Sequence, residues 1–247
     1  MMNGLYKATA AMVVAKARQE LVASNVANVD TAGFRKQVLS EEVFSQSLMM
    51  TQVGGKSTGL GDTDAKTALR APVTDFSQGS VVSTDSPYHM AITGEGFFTV
   101  STAAGDRYTR SGDFRLDGEG FVVDGYGGYL ALGDGQRINV PADASFAVAE
   151  DGTVTVEGNV VGRLNIVTFA RMDGLLRDNN GQFIDAGAAS LPSGATLLQR
   201  HLERSNVDLG QEMIEMIMVN RIFEGAQRIV QTYDELMSKA KEIGSVR

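Results

Sequence analysis

The run VDLGQEMIEMIMVNRIFEGAQRIVQTYDELMSKAKEI, residues 207–243, decides the fold. Apolar or small residues recur in it at Val219, Ile222, Ala226, Ile229, Tyr233, Leu236, Ala240 and Ile243. The steps alternate three and four without a slip, which is the seam of a coiled coil rather than the broader stripe of an ordinary surface helix. Ser205 and Asp208 fit a capping box at the start. Asp208, Glu212 and Glu215 place negative charge at the positive end of the helix dipole. Lys239 and Lys241 in the last turns, with Gly244 just beyond, mark the stop. At about 1.5 Å per residue such a helix spans roughly 55 Å, so its seam needs a long partner.

Residues 5–29 can supply one. Leu5, Ala8, Met12, Ala15, Val22, Val26 and Val29 keep the same three-four spacing, interrupted only at Gln19. Val14 and Leu21 widen the stripe, which suggests contact with more than one neighbour. The helix runs out through Asn25-Val26-Ala27-Asn28-Val29-Asp30-Thr31-Ala32-Gly33-Phe34. Asn and Asp compete with helical hydrogen bonding, and Gly33 can take the positive φ that ends a helix. By themselves these ten residues read as a C-cap and a turn.

Between the two helical patterns the chain changes character. Glu41 to Met50 could form a short helix; Gly54, Gly55, Gly59 and Gly61 then mark an extended connector. From about 81 to 190 the period becomes two. Short β-branched or aromatic runs follow one another, such as Phe97-Phe98-Thr99-Val100, Thr153-Val154-Thr155-Val156 and Leu164-Asn165-Ile166-Val167. Turn signals separate them: Asp117-Gly118, Asp124-Gly125, Gly127-Gly128, Asp134-Gly135, Asp151-Gly152 and Asn180-Gly181. All four prolines lie between the terminal helices. The expectation is an α+β fold. A discontinuous helical domain comprises 1–35 plus 203–247, a Gly-rich connector spans 36–80, and a β-rich domain of many hairpins fills 81–202.

Composition narrows the function. Of 247 residues, 43% are hydrophobic, enough for a sizeable core. A net charge of −8 without a Lys/Arg cluster argues against nucleic acid and anionic membranes as partners. There is no Cys, hence no disulfide, thiolate metal site or thiol nucleophile. No apolar run approaches a membrane span, and the N-terminus lacks the pattern of a cleaved signal peptide. Gly94-Glu95-Gly96-Phe97-Phe98 lacks the third glycine of a dinucleotide loop and leads into a strand. Asp117-Gly118-Glu119-Gly120 lacks the register of a calcium loop. His89 and His201 stand far apart, without metal-ligand spacing or a partnered nucleophile. No catalytic, cofactor or metal residues and no small-molecule substrate are therefore expected. Two readings stay open for the helical stripes: a two-helix stalk closed within the chain, or interfaces for other subunits, the second favoured by the width of the N-terminal stripe.

The motifs resemble a known family. Gly4-Leu5-Tyr6, Met12 and the run Asn25 to Lys36 look like the N-terminal signature of the bacterial flagellar axial proteins of rod and hook, with Ala11 where these often carry Gly. Asp85, Pro87 and Ala91-Ile92-Thr93-Gly94-Glu95-Gly96-Phe97-Phe98 are similar to the entry into their β domain, as is Tyr108-Thr109-Arg110-Ser111-Gly112-Asp113-Phe114. Leu202-Glu203-Arg204-Ser205-Asn206-Val207-Asp208, Glu212-Met213-Ile214 and Arg221-Ile222-Phe223-Glu224 resemble their C-terminal signature. The resemblance is to the flagellar basal-body rod proteins, first the proximal-rod and next the distal-rod type. It implies a structural subunit and no enzyme: a piece of the torque-transmitting shaft in the basal body. The implied partners are other copies of the chain, other rod proteins and the flagellar type III export apparatus. The implied subunit-interface residues are Leu5, Met12, Val14, Val22, Val26, Asn28, Phe34, Val219, Ile222, Phe223, Ile229, Tyr233 and Leu236. The rival from another class is a soluble β-rich ligand-binding module with a two-helix stalk.

Overall fold

A computed structural model describes residues 2–39, 72–141, 144–185 and 190–244. The fold is α+β: two terminal helices with many short antiparallel strands between them. The expected helix at Glu41–Met50 and the glycines Gly54, Gly55, Gly59 and Gly61 lie outside the described residues.

The described residues form two compact units, and the boundaries differ from those read off the sequence. A helical unit takes the described parts of 1–27, 37–75 and 208–247. A β unit takes 28–36 and 76–207. The turn 28–36 belongs with the strands because hydrogen bonds tie it there: Gly33 N donates to Glu203 O at 2.7 Å and Lys36 N to Asn206 Oδ1 at 2.8 Å.

In the helical unit, α1 covers Met2–Ala27 and α2 covers Leu209–Gly244. Helix α1 stops two residues short of Val29, where the Asn- and Asp-rich turn takes over. Helix α2 begins later than the capping box implied. Asp208 is itself the N-cap: its Oδ1 accepts from Gly210 N at 2.8 Å and Gln211 N at 3.2 Å. Ser205 Oγ instead accepts from Val207 N, two residues on and outside the helix. The pair is antiparallel, since Asn25 meets Glu212 while Gly4 meets Tyr233. Strand Gln37–Val38 pairs antiparallel with Val73–Thr74 at the foot of the same unit.

The β unit is built on a nine-stranded sheet whose central strand is Phe97–Thr102. That strand is buried on both faces, so its side chains feed two cores by simple alternation. Phe98 and Val100 point into the main core with Met90, Ile92, Phe114 and Leu130. Phe97 points the other way, into an aromatic cluster with Phe169 and Phe183. Phe97 and Phe183 stack edge-on at 5.6 Å. A three-stranded sheet (Phe146–Val148, Thr153–Val156, Asn159–Arg163) lends Val148, Val154 and Val156 to the main core.

Five of the hairpin loops share one backbone geometry. At 117–121, 124–128 and 178–182 the Asp N–H donates to the carbonyl four residues on, and the Gly at the fourth position donates back to the Asp carbonyl. Each Asp Oδ1 also accepts two further amides, two and four residues downstream. The left-handed residue is Gly120, Gly127 or Gly181, with φ of +83°, +83° and +77°. Gly118 and Gly125, which follow their Asp directly, are not the positions that turn the chain. The loops at 132–136 and 149–153 repeat the backbone pattern with Asp134 and Asp151 moved to the third position. This is a type I turn closed by a left-handed glycine, the three-residue hairpin loop.

Candidate functional site

The helix pair buries one seam and leaves another open. On α1 the inward positions are Gly4, Ala8, Ala11, Ala15, Arg18, Val22 and Asn25, a strict four-three series of mostly small residues. On α2 they are Glu212, Met216, Val219, Phe223, Ala226, Val230 and Tyr233, mostly larger. Small faces large, so the backbones approach closely. A Cβ on Gly4 would overlap the Tyr233 hydroxyl, so any larger residue there has to push that ring aside.

One end of the seam is polar. Asn25, buried, donates from Nδ2 to Glu212 Oε2 at 3.2 Å and to Gln37 O at 3.0 Å, while Gln37 N donates to its Oδ1. Arg18 and Glu215, both half-buried, pair at 3.6 Å. A polar contact inside an apolar seam sets register, because any slip strands a buried amide and a carboxylate without partners. The sequence signal existed, since 25 and 212 fall on the heptad, but an apolar search passes over them.

The residues expected at subunit interfaces separate into three groups. Val22 and Val219 are fully buried between α1 and α2, with Phe223 and Tyr233 half-buried on the same side. Asn28 and Phe34 lie in the turn of the β unit; Phe34 is buried there under Arg177, whose guanidinium sits 4.2 Å from the ring centre. The rest face outward to varying degrees. Leu5 is exposed, and Met12, Val14 and Val26 are half-buried. On α2, Ile222 is 50% exposed, Ile229 48% and Leu236 58%, against 1% for Val219 and 5% for Ala226.

That contrast splits the single seam read from the sequence. Val219, Ala226 and Tyr233 repeat every seven residues and face α1. Ile222, Ile229 and Leu236 repeat with the same period but are turned away from them by about 60°, roughly a sixth of a turn at 3.6 residues per turn. A three-four series of apolar residues can therefore hold two adjacent stripes. Ile214, Ile217 and Met218, exposed and not among the expected interface residues, extend the outer apolar surface toward the start of α2. The Met213-Ile214 and Ile217-Met218 pairs were its visible signal.

The arrangement offers apolar contact rather than chemistry. Among the described residues no group of three or more His, Asp or Glu is placed to hold a metal ion, and no helix is long and apolar enough to cross a membrane. His89 pairs with Asp113 at 3.2 Å, and His201 Nδ1 lies 2.8 Å from Gln199 O.

Known proteins match along most of this architecture. Residues 5–35 match the family described as flagella basal body rod protein. Residues 91–156 match the D1 domain of the flagellar hook protein FlgE/F/G, and 198–243 the C-terminal region of the flagellar basal body rod FlgEFG protein. The flagellar basal-body rod protein FlgG of Bacillus subtilis is 34% identical, over 97% of this chain and 98% of its own. This chain belongs to the flagellar basal-body rod protein family. Other flagellar relatives span it as fully: the flagellar hook-basal body complex protein FlhO of Bacillus subtilis at 32% over all of both chains, and the flagellar basal-body rod protein FlgF of Caulobacter vibrioides at 28% over 97% of both. The N-terminal family match takes in most of α1 and residues 28–35 of the turn that follows; the C-terminal match covers the last strand, His201–Glu203, and nearly all of α2.

Proposed function

We propose that this chain is a structural subunit of the flagellar basal-body rod that polymerises through the outer apolar stripe of its paired terminal helices. The observation that carries the reading is the row Ile222, Ile229 and Leu236, each about half exposed, beside a seam already filled by α1. Ordered apolar side chains on a long rigid helix gain free energy only when a neighbour covers them, at about 25 cal/mol per Å². Repetition of one such contact from copy to copy makes a heterologous, open helical assembly, the geometry of a shaft. Many parallel helix contacts resist twist, which is the mechanical task of a rod that carries torque.

The finer reading is a proximal-rod place, argued from the short segment at 45–75; the higher identity to FlgG supports a distal-rod place as the second reading. Export through the flagellar type III apparatus fits a chain without cysteine, which carries no disulfide to hinder threading. The test is Ile229→Glu. The monomer should keep its fold, because the side chain is half in solvent, and should fail to enter rods. Normal incorporation would remove this stripe from the assembly surface.

A further inference from the structure

Three segments far apart in sequence meet in the β unit around buried charge. Arg35 and Glu203 are both fully buried and touch at 2.6 Å, Nη2 to Oε1. Arg110, also buried, reaches Glu203 Oε2 at 3.4 Å and donates to the carbonyls of Ile92 and Gly94. Burial depresses the Arg110 guanidinium to about 10, with Glu203 opposing the shift and Arg35 adding to it. It is still charged at neutral pH. The site thus holds two cations and one anion, and Arg35 Nε and Nη1 find no acceptor in it. Glu203 is the one carboxylate that touches both guanidiniums among the described residues.

Backbone closes around the same three residues. Glu203 O accepts from Gly33 N at 2.7 Å, and Glu203 Oε1 accepts from Gly79 N at 2.9 Å. Asn206 Oδ1 accepts from Lys36 N, 170 residues away in the chain. Gly33, at φ +65°, lies so close to Arg110 and Ser111 that a Cβ would overlap their backbone.

We infer that Glu203 is a closing latch: the β unit completes its core only when this residue, near the C-terminal end of the unit, docks between Arg35 and Arg110. Arg110 lies against Ile92 O, and Ile92 is wholly buried in the main core. Two guanidiniums cannot be drawn out of water together before their shared anion arrives, since like charges in a low-dielectric interior raise the cost of burying each other. Among the described residues, the strand Met90–Thr93 pairs only with Thr196–Gln199, which lies just before the latch. A chain still emerging from synthesis, or from any passage that delivers its N-terminus first, therefore holds this unit open until residue 203 is free. The latch does not depend on how subunits assemble.

The test uses the intact chain. Pulsed hydrogen exchange during refolding compares the amides of Gly33 and Gly79, whose acceptors are atoms of Glu203, with those of Val100 and Leu197 in the core strands. Protection of Gly33 and Gly79 in the same phase as the core amides, or earlier, is the expected result. Core amides protected in an earlier, separate phase would overturn the proposal. A kinetic variant gives a second arm. Glu203→Gln should slow refolding at least tenfold and change the unfolding rate less than about threefold, because the contact forms in the rate-limiting step. Unchanged refolding with faster unfolding would mean that the latch closes after the core and controls nothing.

Discussion

Truncating Val219 and Ile222, three residues apart on one helix, should have opposite consequences. Val219 is 1% exposed against α1, so Val219→Ala removes two fully buried methyl groups. At about 0.8 kcal/mol per carbon that is roughly 1.6 kcal/mol, and the residual cavity brings the total to about 2–3 kcal/mol. Ile222→Ala removes more carbon, but half of that surface already lies in water. The loss is then about 1 kcal/mol, and the better helix propensity of Ala returns a few tenths. Urea unfolding of the monomer, followed by circular dichroism at 222 nm, reads the difference. With a slope near 2 kcal/mol per M, Val219→Ala should move the helical transition by about 1 M and Ile222→Ala by less than about 0.5 M. Incorporation into rods should rank the other way, with Ile222→Ala the more damaging per kcal/mol of monomer stability lost. Equal destabilisation of the monomer by both would show that Ile222 packs within the chain, and the outer stripe would not exist.

Two further outcomes follow from the β unit. Gly112→Ala should cost about 3 kcal/mol, because the new Cβ would overlap the carbonyl oxygen of Met90, whose own N–H donates to Gly112 O at 3.0 Å; the check is a fall in Tm of roughly 10 °C by calorimetry. Burial first, then the charges of Asp106 and Asp185, raise the Tyr108 phenol above its ordinary 10. Unfolded chains then ionise before folded ones, so the Tyr108 contribution is intact below pH 10 and is lost as pH rises beyond it. Absorbance at 295 nm should show one of the six tyrosines titrating late, and a Tyr108→Phe variant should lack that late step.

Much of the fold could be read because it depends on local periodicity. The run Thr153–Val156 is a strand with the limits its alternation implied. What escaped the sequence depends on distance. The three-four series on α2 could not say which of its members face α1, because Val219 and Ile222 are equally apolar and only the partner tells them apart. Residues 25–34 read as a C-cap and a turn, but the sequence could not show that Gly33, Phe34 and Arg35 are held by Arg110, Arg177 and Glu203, more than 70 residues away. Asp117 and Asp124 marked loops correctly, yet the glycine that turns each loop sits three residues on, where the Asp carboxylate has already organised the amides. Polar groups in the seam, Arg18, Asn25 and Glu212, carried no signal in a pattern of apolar stripes.

The absence of native cysteine allows the central claim to be tested in place. Val13 on α1 and Ile229 on α2 are both exposed in the single chain. Val13→Cys and Ile229→Cys, separately and together, would be introduced into the chain in flagellated cells and oxidised. The account predicts a ladder of cross-linked oligomers that forms only where the flagellum assembles. Absence of any species larger than the monomer, in rods that have incorporated the variant, would contradict assembly through the outer face of these helices.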